Sequence, residues 1–470
     1  MKNFWSSIAA TNTSRVCLAL LAGLVTARAQ TNFYTITSTG SVSNRVNIVF
    51  LAEGYRTNDY AQFLTDVTNA ANILLTNQPY AEYRSNFNVF AIAVPSTNSG
   101  SDHPCCGVTN STFFSSTFDY GSDYYLSFPT NQLGQGRVDS LLNTFIPQSD
   151  LAILLVNDNL QGGSDGGGRT AIVSRGALFV VSSYNVILTH ETGHVLGGLG
   201  DEYTDAYPGF PDIEEPNTTR ETNRASIKWN AWISTNTPVP TPGTAPYSGV
   251  VGLFEGAHYH TTGWYRPKLN CMMKSLGVGF CEVCTEALVL AYYRQARPVD
   301  AFAPSPTNQT FTTTQAVNFS LTLLQPVTHS LSVQWYTNGV PLPSQTNAAF
   351  TLLPASLGNG SHTVSARVVD PTSLVRTDPT NLLSQTNTWS ITVSVPQLTL
   401  SSPRWLGTNG FTFHVSGVAP AGFSVHASSN FVSWTSLATN SLVAGQFDFT
   451  NKSATNFSLR FYRASTPPAP

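Results

Sequence analysis

Charge is what this sequence has least of. Only 10% of its 470 residues are Asp, Glu, Lys or Arg, and the formal net charge is −3. With no basic stripe the chain has no electrostatic footprint for nucleic acid or an anionic membrane surface, so neither is expected as a partner. Long apolar runs are scarce as well. Past the amino terminus no segment reaches the roughly 18 apolar residues that a membrane-spanning helix needs, so no membrane span is expected. Methionine occurs three times and cysteine six. The glycine-rich stretch 162–168 lacks the Lys-Ser/Thr ending of a phosphate loop and reads as a turn. Cys281-x-x-Cys284 has no second such pair, which is weak support for zinc or redox chemistry; a structural disulfide is the expected state.

Asn, Thr and Ser carry the polarity instead, a texture common in extracellular proteins. Lys2 and Arg15 precede an apolar run at 16–25, followed by Ala27-Arg28-Ala29. A basic start, an apolar stretch of about ten residues and an A-x-A site describe a cleavable secretory signal. The expectation is a signal peptide at 1–29, a mature chain starting near Gln30, and a secreted or cell-surface location. Five cysteines then remain, Cys105, Cys106, Cys271, Cys281 and Cys284, which are disulfide candidates in an exported protein.

The length points to several domains. Residues 30–298 alternate strand and helix signals. Apolar runs at 46–51, 87–94 and 151–156 read as strands, and residues 170–173 as an exposed edge strand able to pair with a substrate. A helix is expected from Asn58, with Phe63, Val67, Ala70, Ala71 and Leu74 on one face. The Ser/Thr/Gly-rich region 96–136 reads as a long ordered loop. After Pro298 helical periodicity gives way to short alternating segments broken by Asn, Gly, Pro and Ser. Residues 299–395 read as a β-sandwich resembling bacterial immunoglobulin-like modules, and 396–470 as a last β module. These units are expected to contact extracellular proteins or glycans, Trp405 and Trp434 being the stacking candidates.

The chemistry lies in His190-Glu191-Thr192-Gly193-His194. On a helix, positions four apart share one face, so the two imidazoles can converge on one metal ion. Glu191 stands beside that ion, where its carboxylate can take a proton from water, and zinc would supply the acidity. Gly197-Gly198-Leu199-Gly200 follows, and glycines there end the helix and turn the chain back. The turned-back chain delivers a third ligand. Counting three positions past Gly198, as in metzincin-type zinc peptidases, favours Asp201, with Glu202 as its rival.

His190 to Tyr203, read as HETGHVLGGLGDEY, resembles the signature of the IgA-peptidase-like metallopeptidases. It is also similar, one insertion apart, to snapalysin-type peptidases, where an Asp completes the zinc site. The first resemblance extends through residues 46–55, 87–89, 96–104, 265–267, 271–273 and 280–284, covering about 40–295. It implies an α/β metzincin-like catalytic domain with two all-β modules appended, one catalytic zinc ion, and hydrolysis of a protein or peptide substrate. It also implies a methionine turn beneath the metal, assigned to Met273. Tyr265, or Tyr259, is the candidate for stabilising the oxyanion. His258 and His260 read as wall residues rather than ligands. Immunoglobulin cleavage does not transfer with the motif. The competing expectation is a secreted adhesion or carbohydrate-binding protein whose metalloprotease-like domain is inactive.

Overall fold

The computed structural model describes residues 30–118, 125–179, 187–312, 315–394, 398–417, 419 and 422–466. The expected signal at 1–29 lies outside them, as do residues 180–186 ahead of the histidine helix. Strand β1 (Asn32–Thr37) is followed by β2 (Val46–Glu53), helix α1 (Tyr60–Thr76) and β3 (Phe87–Ala93). Helix α2 (Gln135–Phe145) then leads to β4 (Leu151–Val156), the two-residue β5 (Gly163–Ser164), β6 (Thr170–Ser174), the single turn α3 (Gly176–Phe179) and α4 (Ile187–Gly197).

These strands form one sheet in the order β1-β3-β2-β4-β6-β5. The four inner strands are parallel, and β1 and β5 are antiparallel edges. Every residue of β2 and β4 is buried, which is why both read as largely apolar runs, β4 unbroken and β2 interrupted by Asn47: a parallel strand covered on both faces has no polar side. Helix α1 buries Phe63, Val67, Ala70, Ala71 and Leu74, the stripe that its three- and four-residue spacing requires.

The edge expected at 170–173 is not an edge. β6 is paired with β4 along its length and with the two-residue β5 at Ile172 and Val173, so the outer side of that part of the strand is already taken. Outside β5, Tyr125 bridges to Gly163.

A buried carboxylate at the end of β2 fastens the polar loop. Glu53 accepts the Thr112 hydroxyl at 2.6 Å and the N–H groups of Phe114 and Ser116 at 2.8 Å. Burial pushes its carboxyl up, and these donors pull it back toward the charged form.

Past α4 the chain makes a hairpin, β7 (Phe254–Ala257) and β8 (His260–Arg266), and then α5 (Glu282–Gln295), which packs on α4. Next come β9 (Val299–Ala303), β10 (Asn308–Thr312), β11 (Val317–Leu323), β12 (Ser332–Thr337), β13 (Val340–Pro341), β14 (Ala349–Leu352), β15 (Gly360–Val369) and β16 (Ser384–Ser394). One sheet runs β10-β16-β15-β12-β13 and another β14-β11-β9, around a shared core of Phe319, Trp335, Phe350 and Trp389. From residue 398 two three-stranded sheets enclose a smaller core with Phe413, Phe423 and Phe449. Of the two stacking candidates there, Trp405 is 57% exposed, whereas the Arg463 guanidinium lies 4.3 Å from the Trp434 ring. The chain is a β-rich, multidomain protein with few helices.

The first two units are interlocked. Between β15 and β16 the chain returns to the first core with Leu374, Val375, Leu382 and Leu383. At its start, buried Asp370 accepts the hydroxyls of Tyr83 at 2.8 Å and Tyr293 at 2.7 Å. The His329 ring spans Asp370 at 2.6 Å and Glu82 at 2.8 Å. Asp370→Ala strands two buried hydroxyls and the Nε2 of that ring, at about 3 kcal/mol or more. The melting temperature is expected to fall by several degrees; an unchanged melting curve would show that this network does not join the units.

Candidate metal centre and active site

The centre is set by α4 and the turn that ends it. Gly198 takes φ +61°, the left-handed conformation that glycine adopts without a Cβ penalty, and its N–H bonds the His194 carbonyl at 2.9 Å. The chain therefore folds back along the helix, and Asp201 arrives opposite the histidines. Asp201 Oδ1 lies 3.1 Å from His190 Nε2 and 3.5 Å from His194 Nε2, and the two Nε2 atoms are 3.1 Å apart.

The tautomers follow from the other nitrogens. His190 Nδ1 lies 3.0 Å from the Met272 carbonyl, and His194 Nδ1 lies 2.7 Å from that of Leu199. A carbonyl can only accept, so each Nδ1 carries the proton and each Nε2 presents a lone pair. Two lone pairs and a carboxylate oxygen thus face one another with no donor between them, and Asp201 Oδ1 is buried without a hydrogen-bond partner. The cluster calls for positive charge. Burial opposes the charged imidazole, but the Asp201 carboxylate outweighs it and lifts His194 to about 10. Burial likewise opposes the Asp201 anion, yet the two rings hold its carboxyl far below the ordinary carboxylate range. Two adjacent imidazolium rings would repel each other, whereas one dication shared by three donors does not. The donor set, two neutral nitrogens and a carboxylate oxygen, fits a zinc-type ion.

Glu191, the next residue on the helix, is buried and lines a cleft of about 530 Å³ that opens onto the histidines. Burial pushes its carboxyl up to about 7, with Asp201 and Asp165 adding to the rise and both histidines opposing it. Such a group is poised to exchange a proton near neutral pH.

Beneath the helix lie Met272 and Met273. Met272 contributes its carbonyl to His190, while the Met273 carbonyl accepts the Glu202 N–H at 2.8 Å. The Met273 sulfur sits against Gly193: a Cβ there would come within 3.2 Å of it and 3.1 Å of the Phe280 ring. Glycine at the fourth position of the motif lets the helix lie close to that floor.

The structure separates residues that the sequence left together. Asp201 faces the histidines, but Glu202 turns away into a pocket of cysteines, where its Oε1 lies 3.9 Å from Cys284 Sγ. Tyr265 is not brought to the cleft, whose lining includes Tyr203 and Tyr259 instead. The Tyr259 hydroxyl donates to Asp201 Oδ2, the oxygen turned away from the histidines. Burial and that carboxylate push the hydroxyl up, so it stays a donor. His258 and Tyr259 form the β7–β8 turn, both with positive φ. That conformation costs side chains of this size on the order of 1 kcal/mol each or more. It is held by bonds to the site segment: His258 N–H to the Asp201 carbonyl at 2.9 Å and Tyr259 N–H to that of Tyr203 at 2.8 Å. The His258 ring meets Glu215 at 3.2 Å and the Pro211 carbonyl at 2.8 Å, and His260 Nδ1 lies 2.5 Å from the His258 carbonyl, so neither ring faces the metal centre. The expected structural disulfide, for which the sequence assigns no pairing, is not formed among Cys271, Cys281 and Cys284: Cys284 Sγ stands 3.6 Å from Cys271 Sγ and 3.5 Å from Cys281 Sγ.

Sequence reasoning missed the cleft wall. The glycine-rich stretch taken for a turn contributes Gly163, Ser164 and Asp165 to it, and Gly163 has no room for a side chain, since a Cβ would lie 2.6 Å from Ile187 and 3.3 Å from the Glu191 side chain.

The sequence model of the family described as IgA peptidase M64 matches residues 34–245 and 243–291, more than half of the chain. Comparison with curated proteins finds no match. Among solved structures, the apo form of Bacteroides uniformis beta-glucuronidase 3 aligns with 44% of this chain and 27% of its own, at 9% identity and a TM-score of 0.15. This chain thus spans just over a quarter of that protein. A chaperone–tip adhesin complex of CFA/I fimbriae biogenesis aligns with 34% of this chain and 93% of its own, at 13% identity and a TM-score of 0.14. Neither likeness reaches a shared fold.

Proposed function

Because the chain belongs to the IgA peptidase M64 family, a family of metallopeptidases, we propose that it is a secreted zinc endopeptidase with Glu191 as general base. The observation that carries this reading is the convergence of His190 Nε2, His194 Nε2 and Asp201 Oδ1 within 3.5 Å, no donor between them and Glu191 alongside. These three atoms would hold the ion. When bound, zinc supplies Lewis acidity toward a carbonyl oxygen and lowers the pKa of water toward about 7.

The chain's own residues do the rest. Glu191 takes a proton from water in the cleft as the scissile carbonyl carbon is attacked, then gives it to the departing amine nitrogen. Tyr259 holds the outer oxygen of Asp201 and so fixes which oxygen faces the histidines. The Met272 and Leu199 carbonyls keep both rings in the tautomer that offers Nε2. Met273 is the floor under the helix, and Tyr203, whose ring stacks at 6.0 Å on that of His190, walls the cleft. The proposal includes a metzincin-like arrangement of the first unit and export through the segment at 1–29. It also includes an immunoglobulin-like sandwich at 299–395 and contacts with extracellular proteins or glycans made by the β units.

The test is cleavage of an unfolded protein such as casein by the purified chain. Chelation is expected to abolish cleavage and stoichiometric zinc to restore it. Equal cleavage by metal-stripped protein, or none by the zinc-loaded chain, would overturn the proposal.

A further inference from the structure

Behind the catalytic cleft, and lining no part of it, lies a second group of metal-ligating side chains: Glu202, Cys271, Cys281 and Cys284. All four are buried, Cys281 at 3% exposure and the other three at 0%. Cys284 Sγ stands 3.6 Å from Cys271 Sγ and 3.5 Å from Cys281 Sγ. A disulfide needs about 2.05 Å between sulfurs. A tetrahedral ion with metal–sulfur bonds of about 2.3 Å separates its sulfurs by about 3.8 Å, close to what is seen. Glu202 closes the fourth corner. Its Oε1 accepts the Asn217 amide at 3.0 Å, and its Oε2 is buried with no hydrogen-bond partner.

Backbone donors and a helix N-terminus face the sulfurs. Cys271 Sγ accepts the Cys281 N–H at 3.2 Å and a second bond from the Met273 backbone. Cys281 occupies the N-cap position of α5 and Cys284 sits in its first turn, where the helix dipole favours negative charge. Three thiolates and a carboxylate bring four negative charges; a dication leaves two, and Arg266 and Lys274 both act on Glu202 with positive charge.

We propose that Glu202, Cys271, Cys281 and Cys284 form a second metal site, closed and structural, that takes a thiophilic divalent cation, zinc by its donor set. On loading, the protons held by the thiols and by the Glu202 carboxyl leave to solvent and the four donors fill the coordination sphere, so no position remains for substrate or water. The site ties together the two segments that build the catalytic centre. Glu202 directly follows Asp201, and Cys271 directly precedes Met272, whose carbonyl sets the His190 tautomer. The ion clamps both segments to the start of α5.

Cobalt substitution of the whole chain tests this independently of the catalytic reading. Metal-stripped protein is refilled with Co²⁺ without air, and metal content and absorption are measured. The wild type is expected to hold two cobalt ions. His190→Ala/His194→Ala is expected to hold one and to keep the near-ultraviolet thiolate-to-cobalt charge-transfer band. Cys281→Ser is expected to weaken that band, and Glu202→Gln, which keeps shape and removes charge, to weaken cobalt binding at the band by at least about tenfold. Should Cys281→Ser not fold, the wild-type band and the Glu202→Gln titration still decide the matter. Absence of the band from both the wild type and the histidine variant, or a disulfide joining any two of Cys271, Cys281 and Cys284 in mass mapping, overturns the proposal.

Discussion

Glu191→Gln is expected to slow peptide hydrolysis by roughly 10²–10⁴-fold, the usual worth of a positioned general base, while zinc content stays at the wild-type level. Glutamine matches the shape of glutamate, so the buried wall of the cleft is kept. What it cannot do is accept a proton from water and return it to the amine. Because Glu191 is not one of the three converging donors, metal binding and catalysis separate in this variant. The readings are kcat on a fluorogenic or casein substrate and metal content by elemental analysis. Activity within a few-fold of wild type would remove Glu191 from the mechanism.

Asp201→Ala is expected to weaken zinc binding at the histidines by well over about tenfold, and to abolish activity at limiting zinc. Alanine removes the third donor and also strands the Tyr259 hydroxyl that Asp201 accepts. The turn itself should survive, since the Asp201 carbonyl, not its side chain, receives the His258 N–H. Tyr259→Phe supplies the contrast, because it loosens the outer carboxylate oxygen but leaves all three donors in place. Competition against a chromogenic chelator measures both. Wild-type affinity in Asp201→Ala would mean that the third ligand lies elsewhere.

What could be read from the chain alone was local. Two histidines four residues apart on a helix, the apolar stripe of α1 and the apolar runs of β2 and β4 are local signals, carried by neighbouring residues. The turn after His194 was legible for the same reason, a glycine where the left-handed conformation is needed. The rest depended on contacts across the sequence. A two-residue strand has no periodicity, so β5 is invisible in the sequence and β6 reads as the edge. Tyr259 reaches Asp201 across 58 residues, from a turn built of bulky residues where Asn-Gly would have been the usual signal. Tyr265, the more tempting neighbour of the methionines, sits instead on β8 opposite Glu255 and Thr219. The Cys-x-x-Cys pair reads only as a disulfide candidate because Glu202 and Cys271 become its neighbours only in the folded chain.

Anomalous diffraction at the zinc absorption edge, on crystals of the zinc-loaded wild type, bears most directly on the catalytic centre. The account predicts a peak bounded by His190 Nε2, His194 Nε2 and Asp201 Oδ1, with the Glu191 carboxylate beside it and not among the ligands. No peak between the histidines, or one with the Asp201 carboxylate turned away, would contradict it.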